Sequence, residues 1–356
     1  MKTIICLNFH DNNWYSKIAV TAIALVTPLI QSVVAVSPVN ATTPTPASAS
    51  HTICEQVKQT VSLQKGQPAT YKVVGELCYK PNHKNVVQLL LSGATYSHLY
   101  WNFPLHPEQY SYVRALTNAG YATFNIERIG IGESDHSSAD KVTLQANAYV
   151  AHQIVQALRD GRLGKFSQVI LVGHSLGSGI AVLEAAQYGD VNGIVLTGFL
   201  HNKGPGFGDV GASVYPAQQD LHFADQNLPG VYLTTFPGKR SIFYSTPNTD
   251  PEVIALDELT KETITLPEAQ EFPLLVADSN NARNIRVPVL IVMGQFDKIF
   301  CQAQCPEAQA EPTYYQSSPK VEVKVLKNVG HDLNLHRNAT ALFTTVIDWS
   351  KRFFGY

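Results

Sequence analysis

The sequence predicts an α/β fold in which a mostly parallel central sheet carries helices on both faces. Two observations carry that expectation. Apolar or β-branched runs at 86–91, 121–126, 168–172, 193–199, 287–293 and 321–326 alternate with segments of helical character, the pattern of parallel strands joined by crossovers. The run from Gln168 then ends in Gly173-His174-Ser175-Leu176-Gly177 and passes into a small-residue helical stretch at 178–186. A strand, a sharp turn bearing serine and a helix, in that order, form the setting of a nucleophile elbow.

The remaining elements follow in order. Residues 57–63 and 71–77, with a turn at Lys65-Gly-Gln-Pro68, read as an antiparallel hairpin bracketed by Cys54 and Cys78. Helices are expected at 108–119, 142–163 and 339–354, the last with Leu342, Val346, Trp349 and Phe353 on one stripe and Asn338 at its N-cap. In the aromatic and proline-rich stretch between Phe199 and Arg286, residues 250–261 form the one secure helix. There Asp250 caps, Pro251 fills the first turn, and Val253, Leu256 and Leu259 share a face.

Chemistry is expected at Ser175. Gly173 and Gly177 flank it because a Cβ at either place meets a neighbouring element, and the helix behind it favours developing negative charge. A serine hydroxyl needs a base, and the base needs an orienting acid. Asp297 follows the run 287–293 and His331 follows the run 321–326, each just past a strand. Asp297 is expected to hold the imidazole tautomer and His331 to take and return the serine proton. Asp332 and His336 stand beside them as alternative partners.

From about Cys54 to the C-terminus the chain resembles the α/β-hydrolase superfamily. The resemblance implies an oxyanion hole made by the backbone N–H groups of Ala94, in Ser92-Gly93-Ala94-Thr95, and of Leu176. Ser92 stands where the family often has histidine. Glu127-Arg-Ile-Gly-Ile-Gly-Glu-Ser-Asp135 is similar to the family's Asp-x-Arg-Gly-x-Gly-x-Ser segment, which implies structural roles for Glu127 and Arg128. His98, in the aromatic loop 96–103, is assigned a packed or hydrogen-bonded structural role, with contact to substrate as the alternative. Residues 200–286 correspond to the family's lid insertion. Its aromatics, among them Tyr215, Phe223, Tyr232, Phe236, Phe243 and Tyr244, either form a small core or line a pocket for an apolar substrate of moderate size. The implied activity is cleavage of carboxylic ester-type bonds through an acyl-enzyme on Ser175. Lactone or thioester hydrolysis, acyl transfer on the same triad, and a non-catalytic binding protein are the alternatives.

Residues 1–36 resemble a signal peptide, with an uncleaved membrane anchor as the second reading, and 37–50 form a Pro/Thr/Ala/Ser-rich linker to the domain at 51–356. Cys6 leaves with the leader, and four cysteines remain. Pairing Cys54 with Cys78 and Cys301 with Cys305 is the simplest of three connectivities. No His or Cys stands at ligand spacing beside either couple, so no metal site is expected, nor any cofactor. The net charge is −2 with 26 basic and 28 acidic residues and no basic cluster, which argues against a nucleic-acid partner. The expected partner is a small ester-type molecule, with a membrane involved only if the leader is retained.

Overall fold

The computed structural model describes residues 51–355, so the leader and linker expected at 1–50 lie outside the described residues. Eleven strands are present: β1 (Ile53–Val61), β2 (Tyr71–Tyr79), β3 (Val86–Leu91), β4 (Ala122–Ile126), β5 (Gln168–His174), β6 (Gly193–Thr197), β7 (Val214–Pro216), β8 (Tyr232–Thr235), β9 (Ile264–Thr265), β10 (Val289–Gly294) and β11 (Val321–Leu326). Eight form one sheet in the order β1-β2-β4-β3-β5-β6-β10-β11. From β4 to β11 every neighbouring pair is parallel, while β2 runs antiparallel to both β1 and β4. The central strands β3, β4, β6 and β10 are buried at every position. That explains why they read as mostly apolar runs, with Gln88 in β3 and Thr123 and Asn125 in β4 among the buried polar exceptions: helices cover both faces, and neither side of the strand meets water.

The helices are α1 (Pro107–Tyr110), α2 (Tyr112–Asn118), α3 (Leu144–Asp160), α4 (Leu176–Gln187), α5 (Phe207–Gly211), α6 (Pro251–Leu259), α7 (Leu266–Ala277) and α8 (Thr340–Phe354). α3 packs with α4, and α2 with α8. Trp349 on α8 is fully buried, as the stripe requires.

Several expectations need correction. The helix expected at 108–119 is two helices, because Ser111 is extended and its hydroxyl accepts the Arg114 N–H at 2.9 Å, starting α2 afresh. The helix expected at 142–163 is shorter. Thr143 caps it through the Ala146 N–H, and Gly161 at φ 93° ends it. Asn338 is not the cap of α8: its amide donates to the Lys327 carbonyl and its oxygen accepts from Asn248. Asp250 occupies the N-cap of α6 but makes no side-chain cap bond, since Tyr110 and Arg337 take its carboxylate.

Residues 200–286 hold more regular structure than expected. β7, β8 and β9 form a separate antiparallel sheet, and α7 carries Pro267 in its first turn and Pro273 inside. A capping box stabilises its start: Thr265 accepts the Glu268 N–H, and Glu268 accepts the Thr265 N–H. The aromatics divide between both expected uses. Phe223 and Tyr232 form a small core with Ala139, Ala217 and Leu228, whereas Phe243 lines a cavity. The sulfurs of Cys54 and Cys78, and of Cys301 and Cys305, are at bonding distance, as expected. Among the described residues no helix is long and apolar enough to cross a membrane.

Candidate active site

Ser175 sits at the junction of β5 and α4 with φ 51° and ψ −117°, a conformation that a non-glycine residue holds only under constraint. The constraint comes from both sides. The Ser175 N–H donates to the Thr197 carbonyl on β6 at 2.8 Å, and its own carbonyl accepts from Ser178 and Gly179. A Cβ on Gly173 would lie 2.4 Å from the Gly177 carbonyl oxygen, and one on Gly177 would lie 2.3 Å from that of Leu91. Backbone cannot retreat from such contacts, so both glycines are required by space.

Asp297 and His331 come together from the ends of β10 and β11. His331 Nδ1 lies 3.0 Å from Asp297 Oδ2, and the two side chains are 3 % and 0 % exposed. The other carboxylate oxygen of Asp297 accepts the N–H of Ile299 at 3.0 Å, which fixes its plane. Burial opposes protonation of the His331 imidazole. The Asp297 charge and hydrogen bond, aided by Asp332, outweigh it and raise the pKa above the ordinary 6.5.

The alternative partners are occupied elsewhere. His336 Nδ1 donates to the Asp332 carbonyl, while Nε2 accepts the N–H groups of Ser245 and Gly330 at 2.9 and 3.0 Å. Both nitrogens are used, and burial lowers its pKa, so a neutral structural imidazole results. The Asp332 carboxylate accepts the Tyr96 hydroxyl and meets His174 Nε2 at 3.2 Å. His174 stacks on Tyr100 with centroids 4.3 Å apart, and its ring lies 4.8 Å from that of His331, backing it.

Ser175 and His331 line one cavity of about 280 Å³. Its walls are largely apolar and include Phe207, Val210, Phe243, Ile264, Phe272 and Ile299, nearly all from the insertion. Ala94 lines it as well. Among the described residues the N–H groups of Ala94 and Leu176 meet no backbone acceptor, which leaves two donors at the mouth of the serine turn.

Outside this centre, His98 Nδ1 pairs with Glu127 at 2.7 Å. Arg128 bonds Glu268 at 2.7 Å and the Gly93 carbonyl at 3.1 Å, so it supports the Ala94 loop as well as its own turn. Tyr96 comes from the aromatic loop 96–103 noted in the sequence, whereas Arg240 and Asp257 join the neighbourhood of the site without a sequence signal. Arg240 lies in a short 3-10 segment where no periodicity marks a face, and Asp257 is a buried polar residue on α6 that the apolar stripe of that helix does not include.

A serine turn between strand and helix, with a buried His–Asp couple beyond the ends of β10 and β11, defines the class of fold. Residues 88–343, well over half of the chain, match the alpha/beta hydrolase family. The chain belongs to that family. Among curated proteins none matches the sequence.

Solved structures with the same fold include a thermostable carboxyl esterase from Bacillus coagulans, bound to glycerol, at TM-score 0.61 and 14 % identity. That match covers 84 % of this chain and 98 % of the other. A thermophilic esterase from Thermogutta terrifontis matches at TM-score 0.54 and 18 % identity over 84 % and 99 %. A meta-cleavage product hydrolase from Pseudomonas fluorescens matches at TM-score 0.54 and 16 % identity over 79 % and 95 %. At such identities the likeness concerns the fold, and one fold hosts several chemistries.

Proposed function

We propose that the protein is an exported serine hydrolase that cleaves carboxylic ester-type bonds. Ser175 attacks the ester carbonyl while His331 takes its proton, and the oxyanion that forms is met by the N–H groups of Ala94 and Leu176. His331 returns the proton to the leaving alcohol, leaving an acyl-enzyme. It then activates water, which releases the acid and restores the serine. Asp297 holds the Nδ1–H tautomer and stabilises the imidazolium.

The observation that carries this reading is the shared cavity: Ser175 and His331 face the same largely apolar chamber, with Asp297 hydrogen-bonded behind the imidazole. The volume of about 280 Å³ falls at the lower edge of ordinary ligand sites, near 300 Å³. A single acyl chain of moderate length suits it. Esterase neighbours support the ester bond as substrate, and the two cysteine pairs support export into an oxidising compartment.

The test is hydrolysis of p-nitrophenyl esters from acetate to long acyl chains by residues 51–356, beside Ser175→Ala. The expected result is turnover with a maximum at intermediate chain length, abolished in the variant. Equal turnover by both proteins would overturn the serine mechanism.

A further inference from the structure

The loop that offers the Ala94 N–H bends at a residue poorly suited to the bend. Thr95 has φ 61°, where a β-branched side chain crowds its own backbone. Such a conformation persists only where neighbours over-determine it.

Here they do. The Thr95 carbonyl accepts the Glu262 N–H at 2.9 Å. Arg240 Nη1 donates to the same carbonyl at 3.3 Å and to the Thr95 hydroxyl at 3.0 Å. On either side, Arg128 holds the Gly93 carbonyl and the Ser92 hydroxyl donates to the Tyr96 carbonyl at 2.7 Å. These bonds fix the loop on both sides of Ala94, whose N–H meets no backbone acceptor among the described residues.

Arg240 is a resident of the insertion and is fully buried. Its second arm, Nη2, donates to Asp257 Oδ1 at 2.7 Å, and its guanidinium lies 4.0 Å over the Tyr96 ring. Asp257 also accepts the Tyr244 hydroxyl at 2.7 Å, and the Tyr96 hydroxyl oxygen, whose proton goes to Asp332, lies 3.2 Å from it. A planar fork spans Asp257 and Thr95 at once, whereas an ammonium on a flexible stem is a single point of charge. The same short segment grips the base. The Phe243 carbonyl accepts the N–H groups of His331 and Asp332 at 2.8 and 3.1 Å, and the Ser245 N–H donates to His336.

We infer that Arg240 is a positioning residue: through Thr95 it holds the Ala94 N–H at the place where the substrate oxyanion forms. The inference rests on the serine hydrolase reading above. It makes residues 240–245 a fixed wall of the active site that ties the oxyanion loop to the His331 loop, and not a part that lifts away with substrate entry.

The experiment compares wild type with Arg240→Lys in the full chain. It reads kcat and KM per active site titrated by a fluorophosphonate, together with amide exchange of the peptide 92–97. Losing an oxyanion donor outright costs about a hundred- to a thousandfold, so misaiming one is expected to lower kcat about ten- to a hundredfold with KM within about twofold. Exchange at 92–97 quickens while the β5 and β6 peptides stay protected. Guanidinium ion restores part of kcat to Arg240→Ala.

If the single variants do not fold, the paired Arg240→Gln/Asp257→Asn replacement leaves no unpaired buried charge, and the same two readouts apply. A folded variant with unchanged kcat per labelled site and unchanged exchange at 92–97 overturns the inference. A wild type that neither turns over ester nor labels at Ser175 overturns the hydrolase reading, while the exchange comparison still decides whether Arg240 holds the loop.

Discussion

His331 Nδ1 and Asp297 Oδ2 lie 3.0 Å apart although their residues are separated by 33 others, and both side chains are almost wholly withdrawn from solvent. β10 and β11 are parallel neighbours in the sheet, so residues just beyond their carboxyl ends must fall close together. β5 ends two strands away across β6, which brings Ser175 to the same edge. The catalytic proposal thus follows from strand order, and its consequences can be measured.

Asp297→Asn keeps the shape of the couple and removes the charge that supports an imidazolium. The amide also competes for the tautomer. By comparison with the equivalent change in serine proteases, kcat is expected to fall by about ten-thousandfold, with KM little affected. Steady-state kinetics on the best p-nitrophenyl ester check this. A loss below about tenfold would remove Asp297 from its assigned role.

The pH profile carries the sign of the same interaction. A base must be neutral to accept the serine proton, so kcat/KM falls as pH drops through the His331 pKa. That pKa is raised above 6.5: burial opposes the shift, but Asp297 outweighs it. The acid limb is therefore expected to have its midpoint above pH 6.5 in the wild type. It should move to lower pH in Asp297→Asn, since burial is then opposed only by the smaller effect of Asp332. A limb that does not move would contradict the assignment.

Chain-length preference should answer to the cavity wall. Ala269 on α7 lines the chamber and leaves room where a larger side chain would project. Ala269→Phe is expected to move the optimum toward shorter acyl chains and to reduce turnover of the wild-type optimum at least about tenfold, on the scale of a few methylenes excluded at 1–3 kcal/mol each. Turnover of acetate stays within about twofold. An unshifted profile would mean that the acyl chain lies elsewhere.

Glu262 links stability to pH. Burial pushes its pKa from 4.5 to about 7, helped by the nearby Glu127 charge. Between those values the folded protein holds a proton that the unfolded chain has lost. The contribution is complete below pH 4.5 and fades as pH rises toward 7. Glu262→Gln should flatten this part of the profile, gaining on the wild type as pH rises from 5 to 7.5. Urea midpoints measured across that range give the comparison, and parallel curves would refute it.

The central strands were legible in the sequence because complete burial made them mostly apolar runs, and Ser175, Asp297 and His331 because each follows a strand-like run, the one before His331 being the alternating β11 with Glu322 and Lys324. Helix ends were less legible. The break at Ser111 and the stop at Gly161 depend on a few local hydrogen bonds and one positive φ, which leave little trace in periodicity. α7 was hidden by Pro267 and Pro273, one tolerated in the first turn and the other inside the helix. Asn338 looked like a cap by position, but two partners distant in sequence, Lys327 and Asn248, compete for its amide. The ties of Arg240 and Asp257 to Tyr96, in the aromatic loop 96–103, were invisible for the same reason. Those residues are 17 to 161 positions apart, and only the closed fold joins them.

The most direct measurement is covalent: treat the wild-type protein and His331→Ala with a fluorophosphonate, then locate the adduct by peptide mass. The account predicts one adduct per wild-type chain, on the peptide containing Ser175, and labelling slowed by orders of magnitude without His331. A wild type that stays unlabelled at Ser175, or a His331→Ala protein that labels as fast, would contradict the claim that this serine is activated by this histidine.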